Sequence, residues 1–458
     1  MSDRTMTSAA SQWSGRLWIG RHVGRWVAIV GAAVALAGCS IKDIITVPRP
    51  SGVLDPKQLQ TYNGAISMAN GAQGIFNVVF GGSSALNGSG IGIVGPFSVA
   101  GGVLADEFST WSQDILDGRS SDFGSPGGAN TIFSFIGNAH MNAGQAIRYL
   151  HAYASNAPTQ YLANMFIVRA YTDIFLSELY CSGVPVSDAS ADGSVVYTGA
   201  VSRDSLQKLA LAEFDSALAY APTDSAAMRN FIALGKARAY MNLKQYDQAA
   251  PLVAAVPTGF AYKIQYAGSP SSAQPWFYQQ QYVTAVDVEG INGLNFRSAH
   301  DPRLSFDSVA NYNGIPIWVP HNMHSSTYAA PVESGINARL YEAEVLLSHQ
   351  DYPGWLNKLN DLRANGGVAG LAPLVDPGND HDRLLLTFRE RAFWLYATGH
   401  RLGDLRRLVR QYGIPQNSVF PIGAWRDGLQ FGSFTNSVPD PLEVKYNPKY
   451  TGCIDRDA

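Results

Sequence analysis

The sequence predicts a mainly α-helical fold: stacked, tetratricopeptide-like helix pairs carrying a loop-rich face, in a chain long enough for one large domain or two to three small ones. Three observations predict it. Apolar residues recur at helical spacing through most of the chain. Several of these segments come in pairs joined by short polar turns, the clearest at about residues 205–256. Between residues 257 and 331 the helical period lapses, and Gly, Pro, Ser, Asn and aromatic residues accumulate. A long irregular insertion on a helical scaffold is uncommon unless it has a function.

The chain begins with a different kind of segment. Arg4, Arg16, Arg21 and Arg25 precede an apolar stretch starting near Val27 and ending in Leu36-Ala37-Gly38-Cys39. A basic leader, about a dozen apolar residues and small residues before a cut form a secretory signal. The stretch is too short to span a bilayer comfortably. Its ending resembles a bacterial lipobox, which implies cleavage before Cys39 and acylation of that thiol. The alternative is an ordinary signal peptide that ends at a cysteine. The division expected is signal peptide 1–38, lipid-anchored tether 39–55 and folded domain 56–458.

Of the 33 basic and 36 acidic residues, four and one lie in the leader, so the remainder is net −6. That balance, with no basic stripe, gives no footing for nucleic acid. No later run of 18 apolar residues occurs, so the lipid alone would hold the chain to a membrane. Cys181 and Cys453 are the other two cysteines. A disulfide between them and two free buried thiols are both open.

Asp55-Pro56 reads as a helix start for a segment running to Phe80, weakened by Gly64, Gly71 and Gly74. Further helices are expected at Asn130 to Ala154 and Thr159 to Tyr180. Another is expected from Asp204 to Tyr220, with Asp204 as N-cap and Gln207 closing a capping box. Ala226 to Leu243 and Gln245 to Val256 form the tetratricopeptide-like pair, with Ala237, Tyr240 and Ala249 where small, aromatic and small residues let helices approach. Pairs recur at Asn337 to Arg363 and Asp382 to Gln411.

Chemistry-bearing motifs are few. Glu390, Arg391, Arg401, Asp404 and Arg406 fall at helical spacing, as do Arg169 and Glu178, and read as ion pairs between helices rather than catalysts. Asp106-Glu107 reads as a helix cap or a ligand hydrogen-bond site, because adjacent carboxylates do not face each other across a glycosidic bond. His321 and His324 lack a third ligand for zinc. There is no nucleophile elbow, phosphate loop or Cys-x-x-Cys. No cofactor or metal is expected.

The stretch from Phe388 to Arg407 carries a family resemblance. It holds Glu390-Arg391, then Leu395, then Gly399-His400-Arg401, then Asp404-Leu405-Arg406-Arg407. Arg339 to Glu344, Leu359 to Arg363, Val168 to Tyr171, Gly183 to Pro185 and Phe420 to Ile422 follow in matching order. Together with the lipobox, this resembles the SusD/RagB-like outer-membrane nutrient-binding lipoproteins. Leu402 and Gly403 depart from the aromatic pair often found there. The resemblance implies a single SusD-like domain, no catalysis, an oligosaccharide or peptide ligand, and a SusC-like TonB-dependent transporter as partner. It also implies an outer-membrane address facing outward, although Asp43 is the one acid near the start of the tether.

The loop-rich stretch supplies candidate ligand contacts. Trp276, Phe277 and Tyr278 follow Pro275 and are flanked by Gln274 and Gln279, and Trp111 lies in another Gly/Ser-rich stretch. A sugar ring can stack its C–H face on such aromatics while amides bond its hydroxyls. Aromatics filling a satellite core under the loops are the competing reading. Besides a surface glycosidase, which would release reducing sugar, two other functions stay open. One is peptide binding within the same family, and the other is a lipid-anchored helical-repeat assembly protein.

Overall fold

The computed structural model describes residues 59–82, 96–110, 119, 129–190, 194–266, 283–285, 292–312, 315–424, 430–440 and 445–457. Helix α1 (Tyr62–Gly81) starts at a Thr61 cap whose hydroxyl accepts the Gly64 N–H at 3.0 Å. Asp55 and Pro56, the expected start, lie outside the described residues, and Leu59 is already helical. Short α2 (Phe97–Leu104) is buried throughout. Then come α3 (Ala129–Tyr153) and α4 (Gln160–Leu179), close to the expected bounds. Helix α5 (Arg203–Tyr220) is capped by Ser202, not Asp204, because the Ser202 hydroxyl takes the Ser205 N–H.

The tetratricopeptide-like pair is α6 (Ala226–Asn242) and α7 (Tyr246–Ala254), followed by α8 (Gly335–Ser348), α9 (Tyr352–Asn365), α10 (Asp380–Trp394) and α11 (Arg401–Tyr412). From α1 to α9 most helices pack on one close in sequence: α3 on α1 and α4, α5 on α4 and α6, α7 on α6 and α8, and α9 on α8; α10 returns to α8, and α11 to α2 and α4. Helix pairs that cannot bury their faces alone gain a continuous core by this stacking. The largest core cluster joins α1 to α5 with α10 and α11, and smaller ones lie between α6, α7 and α8 and between α8 and α9. Among the described residues no helix is long and apolar enough to cross a membrane.

Close approach within the stack depends on Gly235. A Cβ there would lie 2.1 Å from Cζ of Phe214, a ring buried in the main core. Gly235→Ala is therefore expected to cost about 1–3 kcal/mol through forced repacking. A urea titration compared with the wild type checks this.

Short strands β1 (Phe108–Thr110), β2 (Val184–Pro185), β3 (Asp188–Ala189), β4 (Val195–Val196) and β5 (Ala200–Val201) come first in the chain. The stretch from 257 to 331 is more regular than expected. It contributes β6 (Ala261–Ile264), β7 (Val283–Ala285) and the hairpin strands β8 (Phe306–Tyr312) and β9 (Ile315–Pro320), with β10 (Ala330–Ser334) at its end. Alternation supplies the reason: Ile317 and Val319 point into the core while Pro316, Trp318 and Pro320 interrupt them in sequence. Strand β6 pairs with β10, closing the insertion at its base. Its described aromatics mostly fill core: Tyr262 stacks on Phe231 at 3.7 Å and Phe296 packs on Phe393 and Tyr396. Tyr266 donates to the Gly82 carbonyl at 3.2 Å.

Cys181 and Cys453 are disulfide-bonded, with Cα atoms 6.0 Å apart. The tail is also held by backbone bonds, Cys181 N–H to Ser437 O at 2.8 Å and Ser182 N–H to Asp455 O at 2.9 Å.

Candidate functional site

Strand β1 (Phe108–Thr110) pairs antiparallel with β7, and Thr110 is the register partner of Val283. Trp111 follows Thr110 directly, and Gln279 lies four residues before Val283. The two stretches bearing the aromatic candidates are thus rooted at one end of a single ladder. Trp111, Trp276, Phe277, Tyr278 and Gln279 themselves lie outside the described residues, as does Cys39.

Asp106, just before β1, fixes this root. Its carboxylate accepts from Arg401 Nε and Nη2 at 2.7 and 2.8 Å and from the Leu294 N–H at 2.8 Å. Glu107 is fully buried; its backbone carbonyl accepts from the Tyr396 hydroxyl at 2.9 Å and its Oε1 from the Ala397 N–H at 3.3 Å. The expected cap or ligand role for this pair is corrected: both side chains are enclosed and serve the scaffold. Ala397 has φ +60°, a conformation that favours glycine, and the Glu107 bond helps hold it.

Burial pushes the Glu107 carboxyl well above the usual range, and Asp106 adds to the effect while Arg401 opposes it. A raised carboxyl binds its proton more tightly in the folded chain than in the unfolded one. Its contribution is complete below the unfolded pKa and is lost as pH rises through the folded pKa. Wild-type stability should therefore be lower at about pH 7 than at about pH 5, and Glu107→Gln should reduce that difference. Urea midpoints at both values check it.

Asn292 and Leu294 also form one wall of an open cleft of about 490 Å3. Leu385 and Leu405 line its apolar floor, with Arg389 and Ser418 among its polar groups. A volume of this order suits a small ligand or one unit of a larger one. Sequence reasoning missed this cleft, since only the fold brings residues 292–294 and 418–419 against the helices that carry the Phe388–Arg407 stretch.

The motif residues sit where the ion-pair reading puts them, except Arg406, which binds backbone carbonyls instead of a carboxylate. Glu390 accepts from Arg303 and Arg363, each at 2.7 Å. Arg391 forks onto Asp404 at 2.8 and 3.0 Å, and Arg407 onto Glu344 at 2.8 and 2.7 Å. Arg406 Nη1 donates to the carbonyls of Ser177, Glu178 and Tyr180, closing the end of α4. Gly399, at φ +74°, makes the turn before α11, and a Cβ there would meet the Phe97 ring at 2.8 Å. Arg169 bonds Glu213 at 2.7 Å, and Glu178 is bound by Arg238. His321 sits in a 3-10 turn, 2.7 Å from Asp307. No three His, Cys, Asp or Glu side chains gather as a metal site among the described residues.

No family model matches the sequence, and no curated relative does. Solved structures match over nearly their whole length. A SusD-like carbohydrate binding protein from Bacteroides vulgatus is 14% identical with TM-score 0.60, covering 85% of this chain and 97% of that one. A SusD superfamily protein from Parabacteroides distasonis is 12% identical with TM-score 0.62, covering 88% and 100%. A SusD-like protein from Bacteroides fragilis is 10% identical with TM-score 0.61, covering 88% and 98%. With its mainly α architecture, this chain has a SusD-like fold.

Proposed function

We propose that this chain is a lipid-anchored glycan-binding protein of the outer membrane. It captures oligosaccharide outside the cell and delivers it to a TonB-dependent SusC-like transporter, without catalysing a reaction. The likeness to the Bacteroides vulgatus carbohydrate binding protein, over 97% of that chain, carries the reading. The ladder that roots both aromatic stretches at one end supports it, because sugar capture needs aromatic faces and amides held near one another. Cys39 supplies the anchor in this account.

Affinity purification of the tagged full chain from detergent-solubilised outer membranes tests the partnership and the address. The expected result is recovery in that membrane with a TonB-dependent barrel attached, and loss of membrane retention in Cys39→Ala. Recovery in the inner membrane, or without any barrel, would overturn this part of the account.

A further inference from the structure

Arg406 is 2% exposed and lies on α11. Its Nη1 is used by the three carbonyls at the end of α4, but Nε and Nη2 have no partner among the described residues. Arg406 lines a cavity of about 20 Å3 together with Arg203, Gln207, Asn242 and Arg410. Two acids stand near: Glu178, which also lines the cavity, is held by Arg238 and Asn242, and Asp455 is held by Arg410. Asp204 stands 3.7 Å from Arg203. Burial, with Arg203 and Arg410 alongside, pushes the Arg406 guanidinium well below its ordinary pKa. Arg203 is likewise pushed down to about 10. A buried guanidinium without a hydrogen-bonded carboxylate is costly to hold.

We propose that this cavity binds a single halide ion, chloride in ordinary salt, between Arg406 Nε and Nη2 and the neighbouring arginines. Size supports a monatomic ligand: one water-sized sphere takes about 10–15 Å3 of such volume, which excludes phosphate or a carboxylate. Charge selects an anion over water, because water leaves the guanidinium uncompensated. Gln207 Oε1 is also unpartnered, and its Nε2 donates to the Ser177 hydroxyl. Turning this amide over, with the Ser177 hydroxyl moving its one hydrogen from the Ile174 carbonyl to Oε1, directs the Nε2 hydrogens into the cavity, as a halide requires. The site joins α4, α5 and α11, and Arg410 extends it to Asp455 in the tail.

The test is anomalous diffraction at the bromine edge from crystals of the wild-type protein grown in bromide. A peak in the cavity at hydrogen-bonding distance from Arg406 Nε or Nη2 supports the site. An absent peak there overturns it, whatever binds at the surface. In solution, Tm should rise by about 2 °C when gluconate is replaced by chloride at equal ionic strength, and Arg203→Gln should reduce that rise. Equal Tm values for the wild type in both salts would assign the cavity to water.

Discussion

Replacing Arg238 with methionine is expected to lower the unfolding free energy by about 3–5 kcal/mol. Arg238 is 2% exposed in α6. Its Nε and Nη2 hold Glu178 at 2.9 and 2.5 Å, and its Nη1 holds Glu333 at 3.0 Å. It also reaches the Gly399 carbonyl at 3.3 Å, tying α6 to the turn before α11. The thioether keeps much of the volume, so the loss reflects the carboxylates left buried without their cation. Urea titration measures it. Lys236→Met, at a pair whose Asp215 side chain is 64% exposed, should change stability by no more than about 1 kcal/mol. Equal effects at the two positions would contradict the distinction between enclosed and solvated pairs.

Removing the Cys181–Cys453 bond should have a comparable effect through a different state. The bond closes a loop of sequence separation 272, which restricts the unfolded chain strongly. The expected loss is about 2–5 kcal/mol, read as the shift between oxidised protein and the Cys181→Ala/Cys453→Ala double variant. The tail keeps its backbone bonds to residues 181 and 182, so the variant should still fold. Without reductant, the wild type should show neither thiol free after unfolding. Two titratable thiols would contradict the bond.

Helices were legible in the sequence because their apolar spacing is local. One start moved where two cap residues competed: Ser202 won over Asp204 because its hydroxyl reaches an N–H three residues on. Small ladders were not legible. Phe108 meets Ala285 and Ala261 meets Ser334, pairings that no local pattern announces. The β8–β9 hairpin alternates visibly, but Pro316 and Pro320 mask it as loop. In the same way, Glu390 to Arg407 could be read as ion pairs, yet the partner of Glu178 could not. Arg238 is a lone cation on an otherwise apolar face, and only the packing of α6 against α4 and β10 shows why it is there. Of the candidate site, the ladder at its root is described. The aromatic residues proposed to touch ligand rest on composition and on the resemblance.

The most direct test of sugar capture is calorimetry. The chain lacking residues 1 to 39 would be titrated with a panel of oligosaccharides and short peptides, beside Trp276→Ala. Saturable binding of an oligosaccharide, weakened at least about tenfold in the variant, is the predicted result. Binding of peptides alone, with no oligosaccharide bound, would contradict it.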